Sequence, residues 1–224
     1  FGISQETILW ANNLSQNSKL TPGQKLIILP VSGVLHEVKE GDTLSEIAKM
    51  YGANIQEIIA FNELESENDI FIGDILIVPN GKPPSKPKKE NQIVIPQNYF
   101  ICPIALPCTK TQGLHFFNAV DLSHGRCGEP VFAAAKGIVT KVKITESPLP
   151  SALLGLGNHL TILHPNGTVT LYAHLEKIFV KPGDEVYQGE IIGLIGGEPG
   201  TPGAGRSIGC HLHFSVIGVP NPFR

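Results

Sequence analysis

The chain has 224 residues, of which 42% are apolar, and carries a net charge of −3. That length allows one large domain or two small ones with a real core. The near-neutral balance, without a clustered basic excess, argues against a nucleic-acid partner. No run approaches the roughly 18 apolar residues that span a bilayer. There are 24 glycines and 18 prolines, many at turn-like positions, which favours a turn-rich β protein. Four cysteines fit an exported chain with two disulfides, but they allow three pairings, and free thiols are the alternative.

The chain begins with a duplication. "FGISQETILWANNL" (1–14) aligns with "YGANIQEIIAFNEL" (51–64) at an offset of fifty, pairing Gly2 with Gly52, Ile8 with Ile58 and Asn12 with Asn62. The match resumes in "PGQKLIILP" (22–30) and "IGDILIVP" (72–79), with one residue deleted. Only the second copy is preceded by "HEVKEGDTLSEIAKM" (36–50). The expectation is therefore that the first copy lacks its front half, and that any signal segment is missing from this fragment as well.

The second copy reads as β-α-α-β. "LHEV" is a short strand and "EGD" a turn. Thr43 followed by Glu46 forms a capping box. Leu44, Ile47, Ala48 and Tyr51 recur at helical spacing, and Gly52 ends that helix. A second helix runs from Ile55 to Phe61, and "DILIVP" closes the unit as a strand.

The motifs "V.EGDTLSEIA..YG", "I..FN.L" and "IG..L.VP" resemble the LysM module, which binds glycans containing N-acetylglucosamine. The resemblance covers about 1–80, with a partial module at 1–31 and a complete one at 34–80. It implies sugar contacts at Gly41, Asp42, Thr43 and Leu44, and at Asn62 after the second helix. The competing assignment is that these residues are caps and turns only. "NGKPPSKPKKENQ" follows, and 81–94 reads as a Pro/Lys-rich tether.

From 95 onward the pattern is β. "PVFAAAKGIVTKVKI" (130–144) reads as two strands, and "HLTILHPNGTVTLYAHL" (159–175) as a hairpin turning at Pro165-Asn166-Gly167. "IFVKPGDEVYQGEIIGLIG" (178–196) holds two tight turns, "EPGTPGAGRSIG" (198–209) is a glycine-rich loop, and "CHLHFSVIG" is the last strand. Side chains alternate faces along a strand. His211 and His213 therefore share one face, with Leu212 and Phe214 on the other. Two imidazoles roughly 7 Å apart at Cα can serve one centre, one holding a metal and its neighbour facing an activated water. A hydrolytic zinc site needs about three protein ligands and an open position, with a base beside it. "GLHFFNAVDLSHG" (113–125) offers His115, Asp121 and His124; "VTLYAHLEK" (169–177) offers His174, with Tyr172 expected on the same face. His36, His159 and His164 read as surface or packing residues. No CxxC is present, so a structural zinc knuckle is not expected.

"H.....D", "PV.AA..G.V", "LYAHL", "V.PGDEV..GE.IG..G" and "G.HLHF", in that order over about 105–217, are similar to the lysostaphin-type zinc endopeptidases that cut peptidoglycan. The resemblance implies a small, mostly antiparallel β domain, and one zinc ion held by His115, Asp121 and His213. His211 and His174 would flank the activated water as base and transition-state stabilisers, with the two roles not divided between them. The family usually places its first histidine four residues before the aspartate. Here that position is Phe117, and His115 stands six before. His115 can serve only if "HFFNA" loops or bulges; His124 is the rival, and a broken site is the third possibility. In this context Cys127–Cys210 would staple two walls of the site and Cys102–Cys108 would close a local loop, with free thiols or a sulfur ligand as alternatives.

The combined expectation is an α+β LysM region (βααβ) followed by an antiparallel β peptidase domain at 95–224. It would be a monomeric, zinc-dependent cell-wall endopeptidase in the extracellular space, periplasm or cell envelope. Its partner would be peptidoglycan, both glycan and peptide. The alternatives are a degenerate, LysM-anchored activator of other wall hydrolases and a pure glycan-binding adhesin.

Overall fold

The computed structural model describes residues 1–12, 14–24, 26–39, 41–84, 96, 98–115 and 118–224. The expected tether at 81–94 lies outside the described residues from 85 onward, as do Phe116 and Phe117. Two compact units, Phe1–Glu90 and Asn91–Arg224, divide the chain.

In the first unit, β1 (Gly33–Glu37) pairs antiparallel with β2 (Ile75–Pro79), Gly33 opposite Pro79. Between them run α2 (Leu44–Tyr51) and α3 (Ile55–Phe61). The Thr43 hydroxyl accepts from the Glu46 amide and donates to the Glu46 carboxylate, both at 3.2 Å, a local form of the box expected from sequence. Gly52 stops α2 in the left-handed region, φ 64°, where a side chain is disfavoured. Leu44, Ile47, Ala48, Ile58, Leu76 and Val78 form the core. The first copy contributes α1 (Gln5–Ala11), capped by Ser4, and packs Trp10 against that core.

The duplication extends to individual hydrogen bonds. The Asn62 amide donates to the Ile58 and Ile77 carbonyls, both at 2.7 Å, and accepts from the Ile77 amide at 2.8 Å. Asn12 repeats all three bonds with Ile8 and Ile27, at 2.7, 2.8 and 2.6 Å. Each asparagine ties the end of a helix to the segment that returns beside it, pairing with both backbone groups of one residue there.

The second unit is mostly antiparallel β. A seven-stranded sheet runs in the order β10-β6-β7-β8-β12-β4-β3 and a three-stranded sheet in the order β5-β11-β9. The strands are β3 (Lys110–His115), β4 (Ala119–Leu122), β5 (Pro130–Phe132), β6 (Gly137–Lys143), β7 (His159–Leu163), β8 (Val169–Ala173), β9 (Leu175–Ile178), β10 (Glu185–Val186), β11 (Ile191–Ile195) and β12 (Leu212–Ile217). Val120, Leu160, Tyr172 and Phe214 from the large sheet join Val131, Ile192 and Ile195 from the small one in a single buried cluster. Alternation along β12 sends Leu212 and Phe214 into this core, which leaves the opposite face to His213. Disulfides join Cys102 to Cys108 and Cys127 to Cys210. The second ties the segment after β4 to the residue preceding His211.

Candidate metal centre

Strand β12 lies between β8 and β4. Register places His213 opposite Asp121 on β4 and opposite Ala173 on β8, and directly opposed residues share a face. The third member arrives by a hairpin. β3 ends at His115, which pairs with Ala119 at the start of β4, and the register shifts between Gln112 and His115. His115 and Asp121 are thus on neighbouring strands, not one strand, which accounts for the six-residue spacing.

Three atoms converge. His115 Nε2, Asp121 Oδ1 and His213 Nδ1 are mutually 3.2 Å apart, the one such group among the described residues. Donors held at zinc-ligand distances and tetrahedral angles are about 3.3 Å apart. The protons point the same way. His115 Nδ1 lies 2.8 Å from the Gly113 carbonyl; a carbonyl only accepts, so the proton sits on Nδ1 and Nε2 offers a lone pair. Asp121 is 9% exposed and His213 6%, and His213 Nε2 is buried with no hydrogen-bond partner among the described residues. With its proton on Nε2, neutral His213 turns a lone pair inward too. Three lone pairs facing one point repel unless a cation sits among them. The residues present fit a zinc ion.

Burial alone would raise the Asp121 carboxyl, but the imidazoles packed around it, those of His115, His213 and His211, hold it well below the usual carboxylate range, so it is a carboxylate. Burial pushes His213 down, against the pull of Asp121. His174 is lowered further, by burial first and then by His213 and His211, so it is neutral at pH 7.

Two more imidazoles flank the triangle. The His174 ring lies 4.8 Å from His211 and 5.7 Å from His213, centroid to centroid. His211 Nε2 is 3.6 Å from Asp121 Oδ1. His211 Nδ1 donates to the Gly209 carbonyl at 2.8 Å, with the Ser207 hydroxyl 3.1 Å away. His174 Nδ1 donates to the Ala204 carbonyl at 2.9 Å. Both rings therefore present Nε2 as their basic nitrogen.

Tyr172 does not join His174. Tyr172 pairs with Phe214 on the core face and is fully buried, its hydroxyl accepting from the Ala134 amide at 2.8 Å and from Thr170 at 3.1 Å. Burial pushes the phenol up to about 12. Alternation would have sent His174 into the core as well. His174 instead follows the end of β8 with φ 61°, and that backbone reversal swings its ring to the site. His124 is also elsewhere. Its Nδ1 meets Glu129 at 2.9 Å and its Nε2 the Pro107 carbonyl at 2.8 Å, so neither nitrogen is available to the triangle.

In the first unit, the residues singled out for sugar contact have local roles. Leu44 is 1% exposed, and the Asn62 amide is committed as described above. The Asp42 carboxylate accepts from the Lys39 amide at 2.8 Å and meets His36 Nε2 at 3.0 Å. Thr43 caps α2, and Gly41 forms the turn before it. Leu44 therefore offers no side-chain surface to a ligand, because the helix it starts turns it into the core.

Sequence reasoning passed over the carbonyls of Gly113, Ala204 and Gly209 and the side chains of Ser207 and Asn158. Backbone acceptors leave no residue-type signal, and a serine or asparagine in a glycine-rich context reads as a turn.

Residues 115–222 match the profile of peptidase family M23, and residues 1–29 and 36–79 match the LysM domain. The chain is 36% identical over 90 residues to "Peptidoglycan DD-endopeptidase ShyC" of Vibrio cholerae, a match covering 40% of this chain and 18% of that protein. It is 25% identical over 209 residues to "Uncharacterized lipoprotein YgeR" of Escherichia coli, covering 83% and 76%. Among solved structures, a zinc containing peptidase from Vibrio cholerae aligns at 29% identity and TM-score 0.44, over 55% of this chain and 38% of that one. The chain thus spans less than a fifth of the length of ShyC.

Proposed function

Since the chain carries a LysM domain followed by a domain of peptidase family M23, we propose that it is a zinc-dependent endopeptidase that cleaves peptide bonds in peptidoglycan. The observation that carries this reading is the triangle of His115, Asp121 and His213. It favours an enzyme over a ligand-free activator, which would have no reason to keep three lone pairs aimed at one point.

A bound zinc ion would supply Lewis-acid polarisation of the scissile carbonyl and of the attacking water. The remaining work falls to the chain. His115, Asp121 and His213 would hold the ion. His174, neutral and with its proton on Nδ1, takes the proton of the attacking water at Nε2. His211, held by Gly209 and Ser207, presents its Nε2 to the developing oxyanion and stabilises it once protonated. The LysM unit holds glycan and raises the local concentration of cross-links. This activity places the protein in the cell envelope or outside it, with peptidoglycan as its partner and one zinc ion per peptidase domain.

The test is metal analysis of the purified protein together with digestion of purified peptidoglycan. One equivalent of zinc and release of new amino termini, both lost in His213→Ala, is the expected result. Zinc-free protein, or zinc-loaded protein inert on walls of every cross-link type, overturns the reading.

A further inference from the structure

The imidazoles of this unit are pinned in two different ways. His115, His211 and His159 each meet the carbonyl two residues upstream, that of Gly113, Gly209 and Gly157, all at 2.8 Å. Each such ring is set by its own local segment. His174 is held from a distance, as His164 is by the Lys136 carbonyl: its Nδ1 donates to the Ala204 carbonyl, thirty residues away, and its backbone amide donates to the Leu156 carbonyl at 3.0 Å. The orientation of His174 is therefore borrowed from two separate segments.

Those segments are clasped to each other. The Asn158 amide donates to the Gly203 carbonyl at 2.8 Å, and the Arg206 amide to the Gly155 carbonyl at 2.7 Å. The backbones approach so closely that side chains have no room. A Cβ on Gly157 would lie 2.0 Å from the Gly203 oxygen, one on Gly205 2.4 Å from the Gly155 oxygen, and one on Gly203 2.1 Å from Asn158 Nδ2. Asn158 is buried and uses every polar atom. Its Oδ1 accepts from the Thr145 amide at 2.9 Å, its Nδ2 donates to the Leu175 carbonyl at 3.0 Å, and its own carbonyl accepts from the Leu175 amide at 3.0 Å. Leu175 is the residue after His174. Asn158 thus grips the chain beside His174 and, through Gly203, the loop that carries Ala204.

We infer that Asn158 and the glycine clasp at Gly157 and Gly203 are a positioning device for His174, fixing its Nδ1–H tautomer and so keeping Nε2 as its basic nitrogen. Disturbing the clasp frees the ring to exchange its proton between nitrogens without touching the three metal ligands. The inference rests on the reading of His174 as a proton-handling group.

The experiment compares zinc-loaded wild type, Asn158→Ala and Gly203→Ala. Long-range 1H–15N imidazole spectra report the His174 tautomer, metal analysis reports zinc, and steady-state kinetics on peptidoglycan fragments report turnover. Wild type is expected to show His174 wholly as the Nδ1–H form. The variants should show a tautomer mixture and at least a tenfold drop in kcat, with KM within twofold and one zinc retained. A folded variant with an unchanged tautomer and unchanged kcat, even at a lower Tm, makes the clasp merely structural and overturns the inference. Should both variants fail to fold, the wild-type spectrum decides, because His174 found as Nε2–H overturns it directly. A His174→Ala control separates the two readings. Full activity there removes the role of His174, while the tautomer spectra still judge the clasp.

Discussion

The half-buried asparagines of the first unit and the histidines of the metal-site triangle in the second are both polar groups largely withdrawn from water, and they differ in how their donors and acceptors match. Asn12 and Asn62 make the same three bonds, donor to acceptor and acceptor to donor, with backbone groups fifty residues apart. Nothing is left over. At His115, Asp121 and His213 three acceptors face one another at 3.2 Å. The first arrangement completes a fold. The second is incomplete without a cation, and that mismatch is what marks a site.

The largest effect that can test this contrast is at the mismatch. Asp121→Ala removes the carboxylate from the triangle; zinc binding should be lost, with activity falling at least about a thousandfold, as expected when a metal worth several kcal/mol to the transition state is gone. Retention of stoichiometric zinc would break the comparison. Next comes His174→Ala, which leaves the triangle intact. Zinc should stay at one equivalent while kcat drops by about 10²–10⁴, measured on soluble muropeptides.

Asn62→Ala probes the matched side. It takes a partner from the Ile77 amide and carbonyl, while the Ile58 carbonyl keeps the Asn62 backbone amide, and should destabilise the first unit by about 1–3 kcal/mol in denaturant unfolding. Zinc content should not change. A neutral substitution would mean that these bonds are replaced by water at no cost.

The smallest effect is a pH slope. His159 is buried and lowered to about 4, by burial first, with Lys141 and Lys143 adding to it. Between about pH 4 and 6.5 the unfolded chain binds a proton that the folded one refuses, so stability rises with pH in that window and levels above it. Acidifying from pH 7 to 5.5 should cost the wild type about 1 kcal/mol more than it costs His159→Gln. Equal losses in urea titrations at the two pH values would refute a neutral, buried His159.

Much of this was legible in the sequence, and the parts that were not share a cause. Period-two alternation placed His211 and His213 on one face, and the fifty-residue offset revealed the repeat, because both depend on local pattern. Alternation misplaced Tyr172 and could not place His174, since one left-handed residue after β8 reverses the rule. The spacing of His115 looked anomalous only while it was read along a single strand. The antiparallel pairing that brings it beside Asp121 leaves no residue-type signal. The supports of His174 were invisible because they are backbone carbonyls brought near by long-range clasping.

Among the described residues β3 stands at the end of its sheet, paired with β4. Asp121 and His213 belong to strands flanked on both sides, whereas His115 closes an edge strand and is part-exposed. In the proposed centre the three donors would therefore be unequal in time as well as in space, with Asp121 and His213 as the standing pair and His115 as the latch. Arrival and escape of the ion should follow the opening rate of that edge, so metal exchange is a kinetic property of β3 more than of the donors themselves.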